Sequence, residues 1–240
     1  PTLVFNHIYV AEGAKLTISE GAKIYMHGGA NIVVDGELEC RGTFEHPVVI
    51  RGDRFDCIND VDQTPYDQTP NQWGGIYLQN AQSHNVVENT HVRGASMGIL
   101  LVGANRSEPV LELRNSVVHN SGAYGVYAQQ GSLVIENTEI SNCGESCIVQ
   151  LGGTLRMAHT TVANYYRYAS RKNASVRILN YVMQNGVRLT FPVTSAVIEN
   201  SIIFGGNAEE LELGQDTTSV TDYNVLLSHT LIKGKKVESE

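Results

Sequence analysis

The chain has 240 residues, 42% hydrophobic and 18% charged, enough to bury the core of one elongated all-β domain. Its 17 basic and 25 acidic side chains give a formal charge of −8, which repels phosphate backbones and anionic lipid surfaces and argues against nucleic acid as a partner. No apolar run approaches the ~20 residues of a membrane-spanning helix; the longest strongly apolar stretch is Gly98-Ile99-Leu100-Leu101-Val102.

In chain order the first β-rich segments are Ile8-Tyr9-Val10, Leu16-Thr17-Ile18 and Ile24-Tyr25-Met26. They recur as Ile32-Val33-Val34, Leu38-Glu39-Cys40 and Val48-Val49-Ile50, at offsets of 24, 22 and 24. Gly13, Gly21, Gly29, Gly36 and Gly42 fall between these segments, where a corner needs positive φ or close backbone approach. Since the first strand begins almost at residue 1, and an open coil end exposes unpaired backbone, the chain is expected to be part of a longer protein. Any export signal is expected to have been removed or to lie outside it.

The rhythm breaks from Arg51 to Trp73, an excursion holding Asp53, Asp56, Asp60, Asp62 and Asp67 against Arg54, with Tyr66 and Trp73 nearby. Excursions are where a solenoid carries function, because its coils are committed to stacking. The carboxylates suit calcium and the aromatics suit a sugar ring, although the D-x-[DN]-x-[DN]-G order of a calcium loop is missing. The bland alternative is a solvated loop whose Trp73 plugs the coil edge.

The repeat is plainest further on: Leu111-x-Leu113-x-Asn115-Ser116, Leu133-x-Ile135-x-Asn137-Thr138 and Leu155-x-Met157-x-His159-Thr160 are each 22 residues apart. Asn89, Asn180, Asn200 and Asn224 extend the register to seven turns. Short strands without intervening amphipathic helices exclude a βαβ sheet, a leucine-rich horseshoe and a helical solenoid. The remaining solution is a right-handed parallel β-helix of about ten coils, ~22 residues per coil, spanning residues 1–232 and roughly 45–50 Å long at the inter-strand spacing. A charged tail follows at 233–240. An Asn once per coil is read as a buried amide ladder that satisfies backbone groups. Glu88, Glu136 and Glu199 each precede a ladder Asn and are read as solvent-facing.

A second outlier runs from Asn164 to Asn173. It carries Tyr165, Tyr166 and Tyr168 with Arg167, Arg171 and Lys172 and no acid, so it holds +3 while the rest of the chain sums to −11. Local basicity in an acidic protein points to a carboxylated or sulfated glycan or to an acidic protein face; the alternative is tyrosines packed on the coil edge. Cys40, Cys57, Cys143 and Cys147 are too few to build a disulfide fold; for Cys143 and Cys147, burial, a disulfide and a metal all stay open.

The stretch AEGAKLTI…GAKIYMHGGANIVVDGELECRGT…PVVIRGDR (Val10–Arg54), the segment from Thr64-Pro65-Tyr66-Asp67 through Gln72-Trp73-Gly74-Gly75-Ile76, and the body Leu111–Asn164 resemble exported β-helix lipoproteins of the Gram-negative outer envelope. That family is similar in fold to pectate lyases and has no assigned reaction. The resemblance implies export to the outer membrane or cell surface through a lipid anchor outside this sequence.

A lyase of the pectate type needs calcium-binding carboxylates beside a base, and a glycosidase needs two carboxyls ~5–9 Å apart. The coils offer neither set, and the histidines His27, His46, His84, His91, His119 and His159 occupy different registers. No catalytic residue, metal or cofactor is nominated. The expected binding residues are Asp53, Arg54, Asp56, Tyr66, Trp73, Tyr165, Tyr166, Arg167, Tyr168 and Arg171, and the expected partner is an envelope protein or polysaccharide. A polysaccharide lyase or hydrolase and a structural spacer are the other readings.

Overall fold

The computed structural model describes residues 1–58, 63–103, 108–218 and 221–234. Among them the chain winds into three parallel sheets of nine, eight and eight strands, each strand pairing with its counterpart one turn away. Face I begins with Thr2–Val4, face II with Ile8–Val10 and face III with Lys15–Ser19, and each turn runs II to III to I.

Alternation within each short strand sends one set of side chains inward, and stacking turns this set into columns. Face I contributes Ile24, Ile50, Val92, Val118, Ile140, Val162, Ile203 and Ile232. Face III contributes Leu111, Leu133 and Leu155 beside Leu113, Ile135 and Met157, in the register that the 22-residue repeat predicts. These residues form one continuous core, and each fully buried aliphatic side chain is worth about 1.5–3 kcal/mol. Asn85 enters the leucine column but is satisfied: its Oδ1 accepts from Leu38 N–H at 2.8 Å and its Nδ2 donates to Val110 O at 3.0 Å.

The described residues make eight full turns rather than about ten. The 22-residue spacing holds for the compact turns, such as Val126 over Ile148, but Ile32 to Ile76 takes 44 residues and Val176 to Leu211 takes 35. Insertions at the corners consume length without adding rise, so the stack is roughly 35–40 Å. The expected stacking of Ile24 on Val48 is corrected by two residues, since Ile24 pairs with Ile50. The last strand is Leu231–Ile232; of the tail, residues 235–240 lie outside the described residues.

The asparagine register is set chiefly by corner geometry. Asn137 Nδ2 does donate to Asn115 Oδ1 at 3.3 Å and Asn89 Nδ2 to Gly42 O at 3.1 Å, but the Asn137–Asn115 rung is exposed and the expected ladder of buried amides is not formed among the described residues. Asn89, Asn115, Asn137, His159, Asn200 and His229 lie between faces III and I with φ of 44–51°, the left-handed region that Asn tolerates better than most side chains. Asn115, Asn137, His159 and Asn200 are exposed. Asn180 follows a face II strand and Asn224 lies within Tyr223–Ser228, so neither belongs to the series, whereas His229 does. The buried ladder is the next residue: Thr90, Ser116, Thr138, Thr160 and Ser201. Each hydroxyl donates to the carbonyl two residues back, at 2.6–2.9 Å, and Ser116, Thr138 and Ser201 also accept the N–H of the turn before.

Glu88, Glu136 and Glu199 face solvent as expected, in an ion-pair ladder with Arg41 (3.1 Å), Arg114 (3.1 Å) and Arg156 (3.4 Å) respectively. Glycine is required at the corners as expected: Gly13 has φ 75°, and a Cβ on Gly36 would lie 2.1 Å from Ala14 O. All four cysteines are free; Cys40, Cys143 and Cys147 are buried as small apolar groups and Cys57 is exposed. An antiparallel hairpin, Tyr181–Gln184 with Val187–Thr190, interrupts the passage from face II to face III. Its Asn185-Gly186 turn has positive φ at both residues, the hairpin signature.

Candidate functional site

Both excursions leave the corner between faces I and II. The first spans 53–72, because Val48–Gly52 and Trp73–Leu78 are strands; the second follows Thr161–Asn164. Three face I strands lie between them: Thr90–Arg93, Val117–His119 and Glu139–Ser141.

The first excursion is tied down over the outer side of face I. Asp67, in the short turn Tyr66–Gln68, pairs with Arg51 at 3.0 Å and Arg93 at 2.8 Å. The second is anchored from below by a buried pair: Arg171 donates to Glu210 at 2.6 Å, and both side chains are almost without solvent contact. Glu210 also accepts from the N–H of Ser175 at 3.0 Å and of Asn207 at 2.7 Å. Burial would raise its carboxyl, but the hydrogen bonds from Arg171, Ser175 and Asn207 win and hold it below the usual carboxylate range.

Held in this way, the two excursions touch. The Tyr168 hydroxyl donates to Gln68 O at 3.1 Å, joining residues 100 apart in sequence. Beneath the contact runs a groove of ≈ 390 Å³ lined by Gln68, His119, Asn120, Asn142, Tyr165, Tyr166, Arg167 and Tyr168. Tyr165 is 56% exposed and Tyr168 39%, and Tyr166 meets Tyr168 edge to face at 5.6 Å. A Cβ on Gly144 would lie 2.1 Å from Gly122 O, so the corner requires glycine, and the Tyr166 ring packs over it 3.2 Å from that position. Asn120 and Asn142 hold successive corners with φ of 56° and 53°, and Asn142 Oδ1 accepts from Tyr165 N–H at 3.3 Å. Burial, and then the neighbouring Arg93, push the His119 pKa down, which keeps its imidazole neutral at pH 7.

Four of the ten expected contact residues, Tyr165, Tyr166, Arg167 and Tyr168, line this groove together. The other six do not. Trp73 lies in the core, 1% exposed, with its Nε1 donating to Arg93 O at 2.8 Å, so it offers no ring to a ligand. Arg171 is spent on Glu210, which leaves Arg167 and Lys172 as the exposed cations of the segment. Asp53 pairs with His27 at 2.7 Å. Arg54, Asp56 and Tyr66 form a local cluster, with Arg54 2.6 Å from Asp56 and 3.6 Å above the Tyr66 ring. Asp60 and Asp62 lie outside the described residues. With Asp53, Asp56 and Asp67 each committed to a different basic group, these three build no calcium cage, and among the described residues no three His, Cys, Asp or Glu side chains share a potential metal position.

Gln68, His119, Asn120 and Asn142 were not reached from sequence. Asn120 and Asn142 did leave a signal, the same residue 22 apart at one corner of the repeat. His119 left none, since its place in the floor follows from the strands stacked on either side.

The lining can accept and donate hydrogen bonds through amides and hydroxyls, stack rings on tyrosine faces and offer one guanidinium. It contains no carboxylate, so a two-carboxyl hydrolase has no pair in it. No helix of the described residues is long and apolar enough to cross a membrane. No curated protein and no solved structure matches the chain. The family described as the right handed beta helix region matches residues 74–234, two thirds of the sequence. The parallel three-sheet coil and this match together make the chain a member of the right-handed β-helix family.

Proposed function

We propose that the chain is a non-catalytic scaffold of the cell envelope that binds glycan in the groove between its two excursions. The contact that carries this reading is Tyr168 to Gln68, which turns two separate loops into one walled site. Rigid coils fix the floor, and the walls present tyrosine faces beside amides, the mixture that grips a sugar ring on its apolar face and its hydroxyl edge. A protein partner suits the site less well, because a groove of ≈ 390 Å³ is sized for a small ligand rather than for the ~800 Å² patch of a stable protein contact. The envelope location rests on the resemblance of Val10–Arg54 and Leu111–Asn164 to exported lipoproteins; fractionation of the source cells tests it, and recovery of the protein in the cytoplasm would refute it.

A glycan panel with wild type, Tyr166→Ala and Tyr168→Phe tests the binding. Retention on at least one glycan, weakened by both substitutions, supports the reading; undiminished binding by both variants moves the site elsewhere. Release of unsaturated or reducing sugar ends by wild type would overturn the non-catalytic part.

A further inference from the structure

The electrostatics of the groove run against those of the whole chain. The protein carries −8, yet none of the eight lining residues is acidic and one is an arginine. Arg167 is exposed and lies over the Tyr168 ring at 5.5 Å, and among the described residues it forms no ion pair with a carboxylate. Of the two acids that act on the floor, Asp67 is paired with Arg51 and Arg93, while Glu139 accepts the Ser141 hydroxyl at 2.8 Å and keeps its charge.

We propose that the glycan taken by this groove is anionic, and that its carboxylate or sulfate is bound by the Arg167 guanidinium at the wall and by His119 at the floor, with Asn120 and Asn142 supplying neutral donors. The inference rests on the glycan reading above. A guanidinium that no protein carboxylate neutralises is matched in planar geometry to a carboxylate and in charge to either anion. No carboxylate lines the groove, and of the two acids that act on its floor Asp67 is paired with Arg51 and Arg93, so Glu139 is the one charge left to oppose the anion there, whereas a neutral sugar would leave the guanidinium unused.

His119 makes the inference measurable by a second route. In the free protein burial and Arg93 hold it neutral; His91 on the adjoining strand pushes the same way, and Glu139 and Asp67 push against them. An anion placed beside it favours the imidazolium, so the His119 pKa rises on binding and affinity increases as pH falls from 8 towards 6. His91 is itself held down by burial and then by Arg93; it does not line the groove and serves as the internal control.

The test is calorimetric titration with three oligosaccharides of equal length and linkage: a neutral hexamer, its uronic-acid form and a sulfated form. Wild type is expected to bind at least one charged hexamer roughly tenfold or more tightly than the neutral one, the size of one charge-assisted contact, and Arg167→Gln is expected to bring the ratio of charged to neutral affinity close to one, whatever it does to the neutral affinity itself. The tighter of the two charged arms identifies the anion. In NMR titrations the His119 Hε1 midpoint should rise with the charged ligand while that of His91 stays within its free-protein value. Equal affinity for neutral and charged hexamers would overturn the anionic assignment and leave the glycan reading standing. Failure to bind any of the three would overturn both. Charged preference that survives Arg167→Gln would refute the placement at this wall.

Discussion

The buried pair at the base of the second excursion offers the sharpest test of how this solenoid holds its site. Replacing Arg171 by Met removes donors to Glu210 Oε1 (2.6 Å), Asn173 O (2.5 Å) and Asn164 O (3.2 Å). The Glu210 side chain is wholly buried, so the substitution strands a carboxylate that keeps only Ser175 and Asn207 as donors. Breaking a buried ion pair from one side costs ~3–5 kcal/mol, which for a chain of this length corresponds to a fall in Tm of roughly 6–20 °C. Replacing both members removes the stranded charge, so Arg171→Met/Glu210→Met should lose distinctly less than the sum of the singles.

The pH dependence of this loss has a definite sign. Glu210's folded pKa lies below its unfolded value, so its stabilisation is fully present above the unfolded carboxylate pKa of ~4.3 and is lost as pH falls through the folded one. The deficit of Arg171→Met should therefore be widest near pH 7 and narrow at acid pH, where the stranded carboxyl takes up a proton. Thermal melts of wild type, both singles and the double at pH 7 and pH 4 measure all of this. A single that costs under ~1 kcal/mol, or a double that costs the sum, would refute the reasoning.

The scaffold was legible because its signal is periodic. Leu111, Leu133 and Leu155 stack as their 22-residue spacing requires, and the hydroxyl residue after each Asn recurs with them. Coil number was not legible, since a corner insertion such as 53–72 adds residues but no rise. The role of the Asn register was misread for a related reason: recurrence reports a shared conformation, and left-handed φ is as good a cause as burial. At the site, Tyr165 to Tyr168 stood out by composition alone. Trp73 and Arg171 were equally conspicuous, but strand register put one inside the coil and Glu210, 39 residues away, claimed the other. His119 and Gln68 become neighbours of those tyrosines only once four turns are stacked, and this adjacency has no local trace in the chain.

Three further outcomes are expected. At the left-handed corner Asn137→Gly should change stability by only a few tenths of a kcal/mol while Asn137→Val costs about 1–2 kcal/mol, read from urea midpoints; equal costs would mean that the amide, rather than the backbone, is what matters. Thr138→Val should cost about 1–3 kcal/mol by the same assay, because the Glu136 carbonyl and the Ser116 N–H lose their hydroxyl partner inside the coil; an unchanged midpoint would show that the ladder is dispensable. The last concerns the two histidines of face I. His91 and His119 both have folded pKa values pushed below the ordinary ~6.5, by burial first and by Arg93 second. Above that value both states are neutral and nothing is gained or lost. As pH falls below it the unfolded chain takes up protons that the folded chain refuses, so stability declines from about pH 6.5 down through the folded values. Melts between pH 8 and pH 5 should show this decline in wild type and a shallower one in His119→Gln, which keeps a polar side chain at the floor but no longer titrates. Parallel slopes for the two proteins would mean that His119 is as easily protonated folded as unfolded, and would remove the neutral imidazole on which the pH-linked anion binding depends.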